Sequence, residues 1–166
     1  MNAGKEFIKE AYRAIFQKDY VKAIELFKKA IGRDANNASY YYKLSVTYAR
    51  NNSLAEALEM MEHALRICPG NPIYKQHYAY LQGRKLAKEA LLKVEMGESV
   101  MVVIPLLEQS IELDPINTQS RLLYAWLLKK QGKMDEAVSA LRELLALDPS
   151  HRDARELLKA CSTQED

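Results

Sequence analysis

Three histidines, His63, His77 and His151, and two cysteines, Cys68 and Cys161, have the readiest acid–base, nucleophilic or metal-binding chemistry in this chain. Catalysis needs a nucleophile, a base and a charge-stabilising group that converge. The histidines are scattered, and none stands at metal-ligand spacing from a second His or Cys. No glycine-rich loop of the phosphate-cradling kind is present. With 28% of residues charged, carboxylate pairs arise by chance and carry no message. The expectation is therefore no enzyme, no catalytic residue, no metal and no cofactor. The chemistry that remains is binding by bulky aromatic and aliphatic side chains.

Helices must position those side chains. Leu54, Ala57, Leu58, Met61, Ala64 and Leu65 stand at offsets 0, 3, 4, 7, 10 and 11, one apolar stripe on a 3.6-residue period. The same offsets recur as Tyr20, Ala23, Ile24, Phe27, Ala30, Ile31; as Val100, Val103, Ile104, Leu107, Ser110, Ile111; and as Met134, Ala137, Val138, Leu141, Leu144, Leu145. From Ala23 to Ala57 is 34 residues, from Ala57 to Val103 is 46, and from Val103 to Ala137 is 34 again. A shared period of this size means a helical array, with one unit carrying 12 extra residues.

The totals set limits on partners. An apolar share of 48% suffices for a continuous core, and a net charge of +2 leaves no electrostatic footprint for a nucleic-acid backbone. Two distant cysteines argue for a reducing compartment rather than a disulfide framework. Met1 to Glu10 mixes Lys5, Glu6, Lys9 and Glu10 with few apolar residues, unlike the apolar run of a signal peptide. No stretch approaches the roughly 18 apolar residues of a membrane span. A cytoplasmic protein without membrane or nucleic-acid partners is expected.

Taken in order, a first helix over about Lys5–Lys18 precedes the Tyr20 stripe, and Asp34-Ala35-Asn36-Asn37 closes the pair. Ser39–Arg50 supplies the next first helix. Ser53 with Glu56 three residues on predicts a capping box for the Leu54 stripe, which Cys68-Pro69-Gly70-Asn71 ends. Pro72 suits the first position of a helix. From there to Met96 only Gly83 interrupts good helix formers. One long helix is favoured over two broken at Gly83, since a lone glycine costs about 1 kcal/mol. Its extra three turns would add roughly 18 Å. Val102, Val103, Ile104 and Pro105 predict an irregular start to the third stripe. Thr118–Lys130, a turn at Gln131-Gly132 and the Met134 stripe follow. Ser150 with Asp153 predicts the start of a last, solvent-capping helix through about Ala160.

These residues resemble a tetratricopeptide repeat array. Tyr41, Leu44-Ser45, Tyr48, Ala57, Met61, Ala64 and Pro69 carry that family's 34-residue pattern in the second unit, and Tyr124-Ala125, Leu128, Gly132, Ala137, Leu141, Leu144 and Pro149 carry it in the fourth. The first unit keeps Ala23, Phe27 and Ala30 but has Ala35 for the proline. The third keeps Leu107, Ser110 and Pro115, with Val103 for alanine. The resemblance implies an all-α, right-handed superhelical array of helix-turn-helix repeats with an extended third repeat and a C-terminal capping helix. It implies a single domain over 1–166, with repeats at about 4–37, 38–71, 72–117 and 118–151 and the capping helix at about 151–161.

The resemblance also implies a partner, another protein or a peptide segment, held on a concave face lined by the first helices. Phe27, Tyr41, Tyr48 and Tyr124 fill packing slots and are expected in the core. The informative residues are those displaced one position from the slots, because a helix turns about 100° per residue. They are Ile8 and Tyr12, Tyr42 and Val46, Tyr80 or Leu92 on the long helix, and Leu122 and Trp126. Trp126 is the leading candidate, tryptophan being enriched in binding hot spots. Lys43, Arg50, Lys88, Lys129 and Lys130 would flank the groove and favour acidic neighbours on the ligand. Ile8, Tyr12 and Lys43 stand where one form of the family carries a carboxylate-gripping lysine, asparagine and arginine set, so the groove should take an apolar or amphipathic segment. His63, beside the second stripe, has the position of an ordinary surface histidine. The main expectation is an interaction adaptor. A self-assembling scaffold (a homo-oligomer) and a small secretion-type chaperone are the alternatives, with nucleic-acid reading the weakest.

Overall fold

A computed structural model describes residues 3–162, and those residues are all-α. In chain order the helices are α1 (Ala3–Phe16), α2 (Tyr20–Arg33), α3 (Ala38–Arg50), α4 (Leu54–Ile67), α5 (Pro72–Glu95), α6 (Val100–Leu113), α7 (Thr118–Lys130), α8 (Met134–Leu147) and α9 (Arg152–Ser162). Met1, Asn2 and residues 163–166, the ends of the expected 1–166 domain, lie outside the described residues. The four stripes became α2, α4, α6 and α8, each of 14 residues. At offsets 3, 7 and 10 all twelve side chains, from Ala23, Phe27 and Ala30 to Ala137, Leu141 and Leu144, have zero exposure. Alanine at offset 3 in three of the four stripes, with Val103 in the third, lets the partner helix come close. There the hydroxyl of Ser45 on α3 donates to the Ala57 carbonyl on α4 at 2.7 Å.

The turn inside each pair repeats as well. Lys18, Asn52, Gly97 and Gly132 all have positive φ, between 61° and 78°. In each turn the residue after them closes a bond five positions back: Asp19 to Ala14, Ser53 to Tyr48, Glu98 to Lys93 and Lys133 to Leu128, at 2.9–3.0 Å. This is the Schellman helix end, in which a left-handed residue lets the last carbonyls find donors. The next helix starts at once, so the two helices of a pair pack antiparallel.

Several local expectations needed correction. Ser53 makes no side-chain cap bond, so the Ser53–Glu56 capping box is not formed. Asp19 and Ser99 do cap their helices, accepting from the Lys22 and Met101 amides. The start of α6 is regular. Pro105 falls inside the helix on its exposed side, where losing the bond to the Met101 carbonyl is tolerated. Ser150 does not open α9. It is turned back onto Asp148 by two bonds, and His151 Nδ1 accepts from the Ala154 amide instead.

The long helix is continuous, 24 residues from Pro72 to Glu95 with no break at Gly83. The chain forms two compact units, one ending at Leu81 and the other starting at Gln82, so α5 contributes to both. In the first unit Tyr74 and Leu81 join a core with Phe27, Leu44, Met61 and Ala64. In the second, Ala90 packs with Val103, Leu107 and Leu127, while Ala125, Leu128, Leu141, Ala154 and Cys161 form a further cluster under α9.

Candidate protein-binding surfaces

In the first unit α3 and α5 meet through aromatic rings. Tyr42 stacks on Tyr74 with ring centroids 5.1 Å apart, and its edge meets His77 at 5.4 Å. His77 in turn stacks on Tyr80 at 5.9 Å, with its Nε2 3.4 Å from the Ser45 hydroxyl. Tyr12 stands edge-on to Phe27 at 6.0 Å and is half exposed. Burial, and then the neighbouring phenol of Tyr42, hold the Tyr12 hydroxyl above the usual tyrosine range. Ile8, Tyr42 and Tyr80 pack partly into the core beneath, and Val46 is half-buried. This unit therefore joins Tyr42 to Tyr80 through His77, while Tyr12 stands against Phe27.

The charged residues here differ in their freedom. Arg50 is exposed. Lys43 is half-buried with its Nζ donating to the Ser39 hydroxyl, and burial holds its ammonium below the ordinary lysine range. Burial likewise pushes His77 below the ordinary histidine value.

In the second unit the sequence candidates separate. Trp126 is half-buried against the cluster containing Ala90, Val94, Val103 and Leu107, and the Nζ of Lys130 sits 3.8 Å above its ring. Leu122 packs into the other cluster, around Ala125 and Leu141. Leu92 and Lys88 are exposed on α5. Lys129 is committed elsewhere: its Nζ donates to the Ala160 carbonyl near the end of α9, at 3.1 Å.

Reasoning from spacing missed two residues and misjudged three. Phe16 is 91% exposed and lies four residues beyond Tyr12 and eight beyond Ile8, on the same side of α1. That spacing was available as a signal. His77 carried none, because its role depends on how α3 packs against α5. Phe27 and Tyr48 are buried as expected, but Tyr41 and Tyr124 are half-buried. Tyr41 stacks on His63 at 5.2 Å, which makes His63 a packing residue rather than a plain surface one. The Tyr124 hydroxyl donates to Glu108.

Among the described residues no group of three His, Cys, Asp or Glu could hold a metal, and no helix is long and apolar enough to cross a membrane. Both cysteines are free, Cys68 exposed and Cys161 buried.

Four helix pairs, each with the same three buried positions on its second helix and closed by the same turn, define a helical-hairpin repeat protein. The chain belongs to the tetratricopeptide repeat family, whose models match residues 8–72 and 103–161. Members of that family are typically non-catalytic binding modules. Solved structures agree on the fold. A fragment of MamA from Desulfovibrio magneticus RS-1 is 14% identical at a TM-score of 0.55, covering 100% of this chain and 87% of that one. Another MamA structure is 17% identical at 0.54, covering 98% and 82%. A comparison with curated proteins by sequence found no match.

Proposed function

We propose that this chain is a non-enzymatic adaptor that holds an apolar or amphipathic peptide segment of a partner protein on the outward rows of its first helices. The principal surface is that of the first unit, from Ile8, Tyr12, Phe16, Tyr42, Val46 and Tyr80. In the second unit Leu92, Leu122 and Trp126 offer a smaller one. The observation that carries this reading is the exposure of Tyr12 and Phe16 beside a stacked aromatic row. A well-packed aromatic wall with exposed rings at its edge gives a partner contact area at low entropy cost. The test is selection of a displayed random-peptide library on the protein, counter-selected with a Tyr12→Ala/Phe16→Ala variant of unchanged circular dichroism. Enrichment of sequences with bulky apolar anchors, lost on the variant, is the expected result; no enrichment on the parent would overturn it.

Self-association is a second reading, favoured by one feature. Leu91 and Leu92 at the end of α5, Met96 just after it, and Met101 and Val102 at the start of α6 are all exposed. Sedimentation of the parent and of a Met96→Glu/Met101→Glu variant decides it: a larger species present only in the parent supports it, and monomer in both dismisses it.

A further inference from the structure

Charge is sorted around the first unit. On α1, Lys5 lies about 20° and Lys9 about 60° around the helix from Tyr12, whereas Glu6 and Glu10 lie about 120° and 160° away. The helix α3 contains Lys43 and Arg50 and no acidic residue, and the Pro72–Leu81 part of α5 contains no acidic residue either. Acids gather on α4, as Glu56, Glu59 and Glu62, whereas α2 carries Glu25 among Lys22, Lys28, Lys29 and Arg33. Lys5, Lys9 and Arg50 are exposed, and neither they nor Lys43 forms an ion pair with any described residue. Tyr42, Tyr74 and Tyr80 therefore stand on stretches that carry cations and no acidic residue, and the ion pairs found among the described residues, Lys93–Glu98, Arg121–Glu143, Lys133–Glu136 and Arg152–Glu156, lie in the second unit.

We infer that the segment docking on the first unit is acidic, with aspartate or glutamate side chains on either side of an aromatic or large aliphatic anchor, so that Lys43 and Arg50 meet carboxylates while the anchor rests against Tyr12, Tyr42 and Tyr80. The inference rests on the adaptor reading and adds the charge of the occupant. Lys43 is central because its ammonium is already partly desolvated and held in place by Ser39, so pairing it with a carboxylate sacrifices little hydration and little freedom. Lys5, Lys9 and Arg50 are solvated, and they would act mainly by steering the approach of an acidic chain.

The decisive experiment displays random peptides inside a loop, with no free C-terminus, selects on the full-length parent, and measures the winners as synthetic peptides by fluorescence anisotropy. Winners rich in Asp and Glu around a bulky anchor are expected, with affinity falling as salt rises and falling roughly tenfold in Lys43→Met. The conservative Lys43→Arg should retain most of the binding, which separates loss of charge from loss of fold. Winners with apolar anchors but no acidic bias would overturn this inference and leave the adaptor reading standing; no winners at all would overturn both. Binding only of peptides with a free terminal carboxylate, or equal binding of heparin, would also overturn it.

Discussion

The hydroxyl of Ser110 on α6 donates to the carbonyl of Gly83 on α5 at 2.8 Å, and also lies 2.9 Å from the Ser120 hydroxyl of α7. At this point α5 and α6 touch so closely that a Cβ on Gly83 would stand 3.0 Å from the Ser110 carbonyl and 3.0 Å from the Asp114 Cβ. The glycine that interrupts the long helix is thus used for contact rather than for a bend.

Gly83→Ala should destabilise the second unit even though alanine is the better helix former. The propensity gain is about 1 kcal/mol, whereas forcing backbone atoms apart in a packed crossing costs about 1–3 kcal/mol. Ser110→Ala, which removes the buried bonds without adding bulk, should cost about 1 kcal/mol. Chemical denaturation followed by circular dichroism checks both; a stabilised Gly83→Ala would mean that the helices separate freely.

The Schellman turns predict opposite effects of adding and of removing glycine. Lys18 holds φ at 61° although it carries a side chain, and Gly132 holds 78°. Left-handed backbone costs an ordinary L-residue about 1–2 kcal/mol. Lys18→Gly should therefore raise stability by about 0.5–1 kcal/mol, after allowing for the greater freedom of glycine in the unfolded chain. Gly132→Ala should lower it by about 1 kcal/mol, although nothing lies within 4 Å of the added methyl. Melting temperatures that shift the same way for both variants would contradict this.

His77 predicts a pH dependence of the first unit. Burial places its folded value below the ordinary histidine value of 6.5, so the unfolded chain takes up a proton that the folded chain resists. Stability is then fully present above the unfolded value. It falls as the pH drops from 6.5 to the lower folded value, and the effect levels off below that. His77→Phe keeps an aromatic ring between Tyr42 and Tyr80 and removes the proton. Melting curves between pH 7.5 and 5 should show a decline in the parent that is shallower in the variant; equal slopes would assign the decline to other groups.

How much was legible in the sequence follows from what is local. The four stripe helices were readable because burial at offsets 3, 7 and 10 repeats in register. The continuity of α5 was readable because only Gly83 interrupts it. Which core each part of α5 serves was not readable: Tyr74 and Leu81 go to one cluster, Ala90 and Val94 to another, and both halves present similar apolar spacing. The candidate rows were placed by counting one position from the packing slots, and counting gives direction but not neighbours. It named Tyr42 and Tyr80 without seeing that His77 lies between them, and it named Lys129 without seeing that Ala160 occupies it. The Ser53 and Ser150 caps failed for a similar reason. In α4 the preceding Schellman turn already orders the chain, and Ser150 has a nearer acceptor in Asp148.

Trp126 is the sole tryptophan, so the second unit carries its own reporter. The Lys130 ammonium lies 3.8 Å from the ring centroid and covers one face of this half-buried side chain. A cation over indole at a partly exposed site contributes about 0.5–1 kcal/mol, so Lys130→Ala should lower stability by no more than that. The larger effect should be on access: with the side chain gone, the ring face opens to solvent. Acrylamide should then quench Trp126 more strongly in the variant than in the parent, with little change in helicity. Lys129→Ala separates the two neighbouring lysines, because its ammonium holds the α9 carbonyl of Ala160 rather than the ring. It should loosen α9 and leave quenching near the parent value. Identical quenching in Lys130→Ala and the parent would show that the ring is shielded by its packing against the cluster of Ala90, Val103 and Leu107, and that any ligand must displace that packing rather than the lysine to reach it.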